Sequence, residues 1–168
     1  IVQRKRLDLD RILQGCLGLT VLTTIDHAEV VPGEVMHLKH TVTIASDVPV
    51  KWGGMVYPGG VYVSNGGVDL HPKEPSSIEE SPTLPKDTKI SQPYWMTEEP
   101  GAGMFHVDDA ALIGRPQNPP VFPVEETFSL GGQSLNVQDE PVEVMDVGGA
   151  EVRRDMSAVP PVILHFAE

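Results

Sequence analysis

Between residues 34 and 45 the chain alternates without a break. Met36, Leu38, His40, Val42 and Ile44 fall on one side; Val35, His37, Lys39, Thr41 and Thr43 fall on the other. A period of two over this length is the mark of a strand with one buried face, because successive side chains of a pleated strand point to opposite sides. The same pattern, in shorter pieces, recurs along the chain. Leu17, Leu19 and Val21 lead to Ile25, a strand is expected from about Val50 to Tyr57, and Val61–Val63 lies between Pro58-Gly59-Gly60 and Asn65-Gly66-Gly67. Later come Phe122, Val124, Phe128 and Leu130, then Gly131-Gly132, then Leu135 and Val137, which is a hairpin signature. Pro141–Met145 and the alternation Val162, Leu164, Phe166 close the series, and residues 83–91 are a further candidate. Sixteen glycines and sixteen prolines fall between these runs, as turns do in an all-β protein. Roughly eight to ten short strands so punctuated predict an immunoglobulin-like β-sandwich.

Two stretches interrupt the strands. Leu9, Ile12, Leu13 and Cys16 follow helical spacing, with Asp8 available as a cap and Gly15 and Gly18 to stop it. This predicts one short N-terminal helix of about two turns, which must pack on something to persist. Residues 1–13 are read as linker and helix, and 14–168 as the sandwich. The segment from His71 to Pro85, rich in Pro, Ser and Glu, reads as a mobile loop or an edge. From Gln92 to Pro120 the periodicity is lost among many Pro and Gly, yet Tyr94, Trp95, Met96, Met104, Phe105, Leu112 and Ile113 lie there. So many large apolar groups predict an ordered, irregular Pro/Gly-rich excursion over 92–120, packed on the sandwich. The segment 158–168 either belongs to this sandwich or leads into a further domain.

The charge narrows the partners. The 168 residues carry a net charge of −12, which repels nucleic-acid phosphates, and Arg4-Lys5-Arg6 and Arg153-Arg154 form no basic stripe. No apolar run has the roughly 18–20 residues needed to span a bilayer. The single Cys16 cannot close an internal disulfide, and it is expected to be a packed thiol. A start at Ile1 rather than Met fits a piece cut from a longer precursor.

Catalytic signatures are sparse. His37 and His40 lie an odd number of positions apart on one strand and face opposite sides, so they cannot share a metal there; His40 is expected to be a hydrogen-bonded core residue. There is no G-x-S-x-G elbow, no C-x-x-C and no glycine-rich loop opening a helix. In His106-Val107-Asp108-Asp109 the two aspartates suit turn hydrogen bonds to nearby backbone amides. One constellation has binding character. Tyr94 and Trp95, with Tyr57 and Tyr62 nearby, could offer flat faces on which sugars stack, while acidic and amide groups hold the hydroxyls. The competing expectation is that Tyr94 and Trp95 anchor the excursion, with Met96, Met104 and Phe105 as packing partners. No cofactor is implied.

The segments Ile90-Ser91-Gln92-Pro93-Tyr94-Trp95-Met96 and Gly103-Met104-Phe105-His106-Val107-Asp108-Asp109-Ala110-Ala111-Leu112-Ile113-Gly114-Arg115-Pro116-Gln117-Asn118-Pro119-Pro120 are distinctive. Together they resemble the "S-Q-P-Y-W-L … G-x-(Y/F)-x-V-x-D-x-x-L-I-G-x-P-E-N-P-P" region that follows the catalytic domain in bacterial PIG-L/LmbE-type sugar deacetylases. Phe128-x-Leu130-Gly131-Gly132, Pro141-Val142, Val159-Pro160-Pro161-Val162 and, more loosely, Cys16-Leu17-Gly18-Leu19 extend the resemblance from about residue 14 to the end. Val144-Met145-Asp146 and Arg153-Arg154-Asp155 depart from it. The family's H-P-D-D zinc segment is not matched, since Val107 stands in place of the proline. The resemblance therefore implies a non-catalytic accessory sandwich, not an enzyme in itself, beside an upstream zinc-dependent deacetylase domain of the same chain. It would brace that domain or position a glycan or glycoconjugate, in a secreted or periplasmic protein. The alternatives are a carbohydrate-binding module using Tyr94 and Trp95, and a small metal-dependent hydrolase using His106, Asp108 and Asp109.

Overall fold

The computed structural model describes residues 2–97, 101–107 and 109–162. They form a helix α1 (Val2–Leu17) and the strands β1 (Thr20–Ile25), β2 (Glu29–Val30), β3 (Leu38–Thr43), β4 (Val50–Tyr57), β5 (Val61–Asp69) and β6 (Ser76–Glu80). After the excursion come β7 (Val124–Leu130), β8 (Gln133–Asp139), β9 (Val142–Val147), β10 (Ala150–Asp155) and β11 (Ser157–Ala158). One sheet runs β10-β9-β1-β3-β6 and a second β5-β4-β7-β8, while β11 pairs with β2 in a parallel ribbon. The second sheet draws strands from both halves of the chain, so a single β-sandwich results.

The alternation of residues 36–44 is realised on β3 and its flanks: Met36, Leu38, His40, Val42 and Ile44 are buried and their neighbours face outward. They meet Val50, Trp52 and Met55 of β4, Val124 and Phe128 of β7, and Leu135 and Val137 of β8 in one core. Each such side chain, fully buried, contributes about 1.5–3 kcal/mol, so this core is the main source of stability. Gly131 and Gly132, with φ of 55° and 79°, make the two-residue turn joining β7 to β8. Positive φ at both central positions gives the hairpin its strand-compatible twist.

A bulge in β4 governs what the core contains. The register with both neighbours shifts between Trp52 and Gly54. Residues five apart on a regular strand face opposite ways, but the extra residue resets the parity, so Trp52 and Tyr57 both point inward. Gly54 adopts φ +137°, and a Cβ there would drive into the Val63 carbonyl oxygen.

Several elements differ from expectation. The helix is 16 residues long, with Asp8 and Gly15 inside it. Gly18 ends it, at φ +57°, donating to the Gly15 carbonyl (3.2 Å) while Leu19 donates to Gln14 (3.0 Å). Leu13 and Leu17 turn inward, whereas Leu9 (54 % exposed), Ile12 (62 %) and Cys16 face solvent, so Cys16 is not a packed thiol. β5 continues through Asn65-Gly66-Gly67, which the sequence suggests as a turn. Ser76–Glu80 is an edge strand on β3, and residues 83–91 form none, although Leu84 is buried and exchanges backbone hydrogen bonds with Gly33 and Glu34. β10 was not foreseen. The anticipated strand through Leu164 and Phe166 lies outside the described residues.

Candidate functional site

The sequence singled out residues of two kinds, and the fold separates them. The first group is sealed in the core. His40 on β3 and Glu126 on β7 are both fully buried, with Nδ1 2.8 Å from Glu126 Oε1. Thr23 Oγ1 lies 3.1 Å from the same Nδ1, and Tyr57 Oη 2.9 Å from Nε2. Trp52 Nε1 donates to Glu126 Oε2 at 2.8 Å. Burial, then the charges of Glu80 and Glu126, push the Tyr57 hydroxyl well above its ordinary pKa, so it keeps its proton. Tyr57 Oη and Nε2 share one hydrogen bond, while Nδ1 faces both Thr23 Oγ1 and Glu126 Oε1. Glu126 Oε1 makes no aligned hydrogen bond, so the imidazole beside it is its compensation. With no opening to solvent, this network staples the two sheets and has no access to a ligand. Tyr57 consequently offers no stacking face.

The second group lies on the surface. The excursion begins and ends against the sandwich: Ser91 and Ala158 exchange two bonds, Ser91 N–H to the Ala158 carbonyl and Ala158 N–H to Ser91 Oγ, each at 2.8 Å. Asn118 ties its two limbs together, accepting from Tyr94 N–H (3.0 Å) and donating to the Gln92 carbonyl (2.9 Å). Tyr94 Oη accepts from Gly114 N–H at 3.2 Å. Short 3-10 turns span Tyr94–Met96 and Ala110–Leu112. Tyr94 is thus a structural tie, set edge-on to Trp95 with ring centroids 4.9 Å apart. Met96, Met104 (79 % exposed), Phe105 and Ile113 are largely exposed.

Trp95, 37 % exposed, instead forms part of a cleft of about 320 Å³ between the excursion and the sandwich. Pro93, Pro119 and Pro120 give it stiff apolar walls; Gln117, Asn118, Glu140 and Asp155 bring polar groups. Glu140 belongs to the β8–β9 connection and Asp155 to the end of β10. Burial first, then Asp155 and Asp139, raise the Glu140 carboxyl above its usual range. Sequence reasoning missed both carboxylates, which become neighbours of Trp95 only through the fold. Tyr62 is elsewhere: it sits on edge strand β5, its hydroxyl donating to the Gly53 carbonyl at 2.7 Å.

A wider groove of about 600 Å³ crosses the outer face of the first sheet, where His37 Nδ1 lies 3.1 Å from Ser81 Oγ beside Asp26, Lys39 and Glu79. It has no aromatic wall. Asp109 caps the Ala110–Leu112 turn by accepting from Ala111 N–H (2.9 Å), and His106 is exposed nearby; Asp108 lies outside the described residues. Among the described residues no three His, Cys, Asp or Glu side chains gather as a metal site, and no helix is long and apolar enough to cross a membrane. Searches against protein-family models, curated proteins and solved structures find no significant match to this chain.

Proposed function

We propose that the chain is a non-catalytic, immunoglobulin-like accessory sandwich that accompanies a PIG-L/LmbE-type deacetylase domain and positions a glycan beside it. The observation that carries this reading is the cleft at Trp95. A half-exposed indole lining one cleft with two carboxylates and two amides suits sugar recognition, with C–H faces on the ring and hydroxyls on the polar groups. Its indole and amide walls come from the 90–120 segment that resembles the deacetylase-associated region.

The immunoglobulin-like assignment rests on connectivity. β1-β3-β6 against β5-β4-β7-β8 has the order of an A-B-E sheet facing a C′-C-F-G sheet, and Trp52 is the buried tryptophan of the third strand in that scheme. The β9–β10 hairpin is then an addition beside the first strand. Bracing is the other part of the role. The exposed Leu9, Ile12 and Cys16 stripe of α1 suits packing on the deacetylase domain. Secretion or a periplasmic location follows from the family reading.

The test is a glycan array with this chain and with a form extended to include the upstream domain, followed by titration of any hit against Trp95→Ala. Selective binding that Trp95→Ala weakens about tenfold, the upper range of one aromatic contact, supports the reading. Binding by neither form, or binding indifferent to Trp95, refutes it.

A further inference from the structure

We propose that the Trp95 cleft selects the free amine of a hexosamine, binding the unacetylated amino sugar as an ammonium in preference to the N-acetylated one. The inference rests on the glycan reading above and names the class of sugar.

The argument is one of uncompensated charge beside an aromatic face. Glu140 and Asp155 line the cleft, and among the described residues no Lys, Arg or His does. The basic residues nearest in sequence are committed elsewhere. Arg154 bridges Glu29 (3.2 Å) and Glu143 (3.5 Å), and Arg153 pairs with Glu151 (2.8 Å). Arg115, next to Pro116, is exposed and does not line the cleft. Asp155 meets only the edge of an amide, Gln117 Nε2 at 3.5 Å. Asp139 adds charge from the base of the β8–β9 connection, although its Oδ2 already accepts from Thr23 N–H (2.7 Å).

Burial first, and then the negative charges of Asp155 and Asp139, raise the Glu140 carboxyl, so part of that push comes from the same negative field. An ammonium placed there relieves that field and lies against the indole, a favourable cation–π position. An N-acetyl group in its place brings neither charge nor relief, and a uronate or sialate would be repelled. The stiff proline walls keep the cleft open without ligand, so selection depends on charge rather than on closure.

The test uses the whole chain at pH 6, where such an amine is protonated. The probes are a β-1,4-linked glucosamine tetramer, its fully N-acetylated counterpart and a tri-lysine peptide, titrated by calorimetry. The expected result is at least tenfold tighter binding of the free-amine tetramer than of the acetylated one, with the ratio narrowed by added salt and by Asp155→Asn. Equal affinity for the two tetramers overturns the amine inference and leaves the glycan reading standing. Absence of binding by either tetramer overturns both. Tri-lysine binding as tightly as the glucosamine tetramer refutes recognition of a sugar amine and assigns a site for peptide ammonium groups.

Discussion

Replacing His40 by leucine removes the group that faces Oε1 of a buried carboxylate, whose other oxygen is held by Trp52 Nε1. Glu126 Oε1 sits 2.8 Å from His40 Nδ1 and has no aligned hydrogen bond of its own. Removing the neighbour of a buried carboxylate oxygen costs about 3 kcal/mol or more, because Oε1 is left with neither water nor a polar group to face. The Tyr57 and Thr23 hydroxyls lose their partner as well. For a chain of this size each kcal/mol lowers Tm by roughly 2–4 °C, so His40→Leu should lower Tm by on the order of 10 °C. The decisive measurement is the double variant His40→Leu/Glu126→Gln. Glutamine keeps an acceptor for Trp52 Nε1 and removes the stranded charge, so the second substitution should restore about 2 kcal/mol, within the range of coupling between touching residues. Equilibrium unfolding in urea, followed by tryptophan fluorescence, gives both values. If Glu126→Gln instead destabilises the His40→Leu protein further, the carboxylate was not the source of the loss and this reading of the network is wrong.

Three other substitutions, one of them a control, probe the bulge and the cleft. Gly54→Ala combines a left-handed φ with collision against the Val63 carbonyl and should cost more than about 3 kcal/mol, whereas Gly59→Ala, equally left-handed but in open space, should cost about 1–2 kcal/mol. Equal losses in thermal unfolding would mean that β4 tolerates a regular register. Glu140 has a raised pKa in the folded state, so its favourable contribution is present only below the unfolded value, about 4.3, and is lost as pH rises through the folded one. Glu140→Gln should therefore stabilise at neutral pH by a few tenths of a kcal/mol after solvent screening, with the gain vanishing below about pH 4. Urea unfolding from pH 3.5 to 7.5 tests this; a loss of stability at neutral pH contradicts it.

The parts of the fold legible in the sequence are those where one face is buried and the other wet. Residues 36–44 read as a strand because burial enforces a period of two, and Gly131-Gly132 reads as a turn because few residues other than glycine accept positive φ twice in succession. β10 escaped notice because all six of its residues are exposed, so burial imposes no alternation on Ala150–Asp155. In β4 the bulge changes the parity midway, and only Gly53-Gly54 within a strand hinted at it. On α1 the spacing of Leu9, Ile12 and Cys16 was correctly helical, but spacing cannot say which stripe faces the core. The site follows the same logic. Trp95 was visible as an aromatic residue among prolines, whereas Glu140 and Asp155 carry no local signal and gain their significance from the chain folding back.

That folding back also sets the order of events during synthesis. β1 receives β9 along one edge, and Glu29–Val30 pair with Ser157–Ala158. Thr23 and Ala28 donate their backbone N–H groups to the carboxylates of Asp139 and Glu143, 116 and 115 residues later in the chain. At typical translation speeds such partners follow on the order of ten seconds behind. Throughout that interval the outer edge of β1 presents unpaired peptide groups to whatever else is in reach, and a topology so rich in distant pairings closes slowly even once complete.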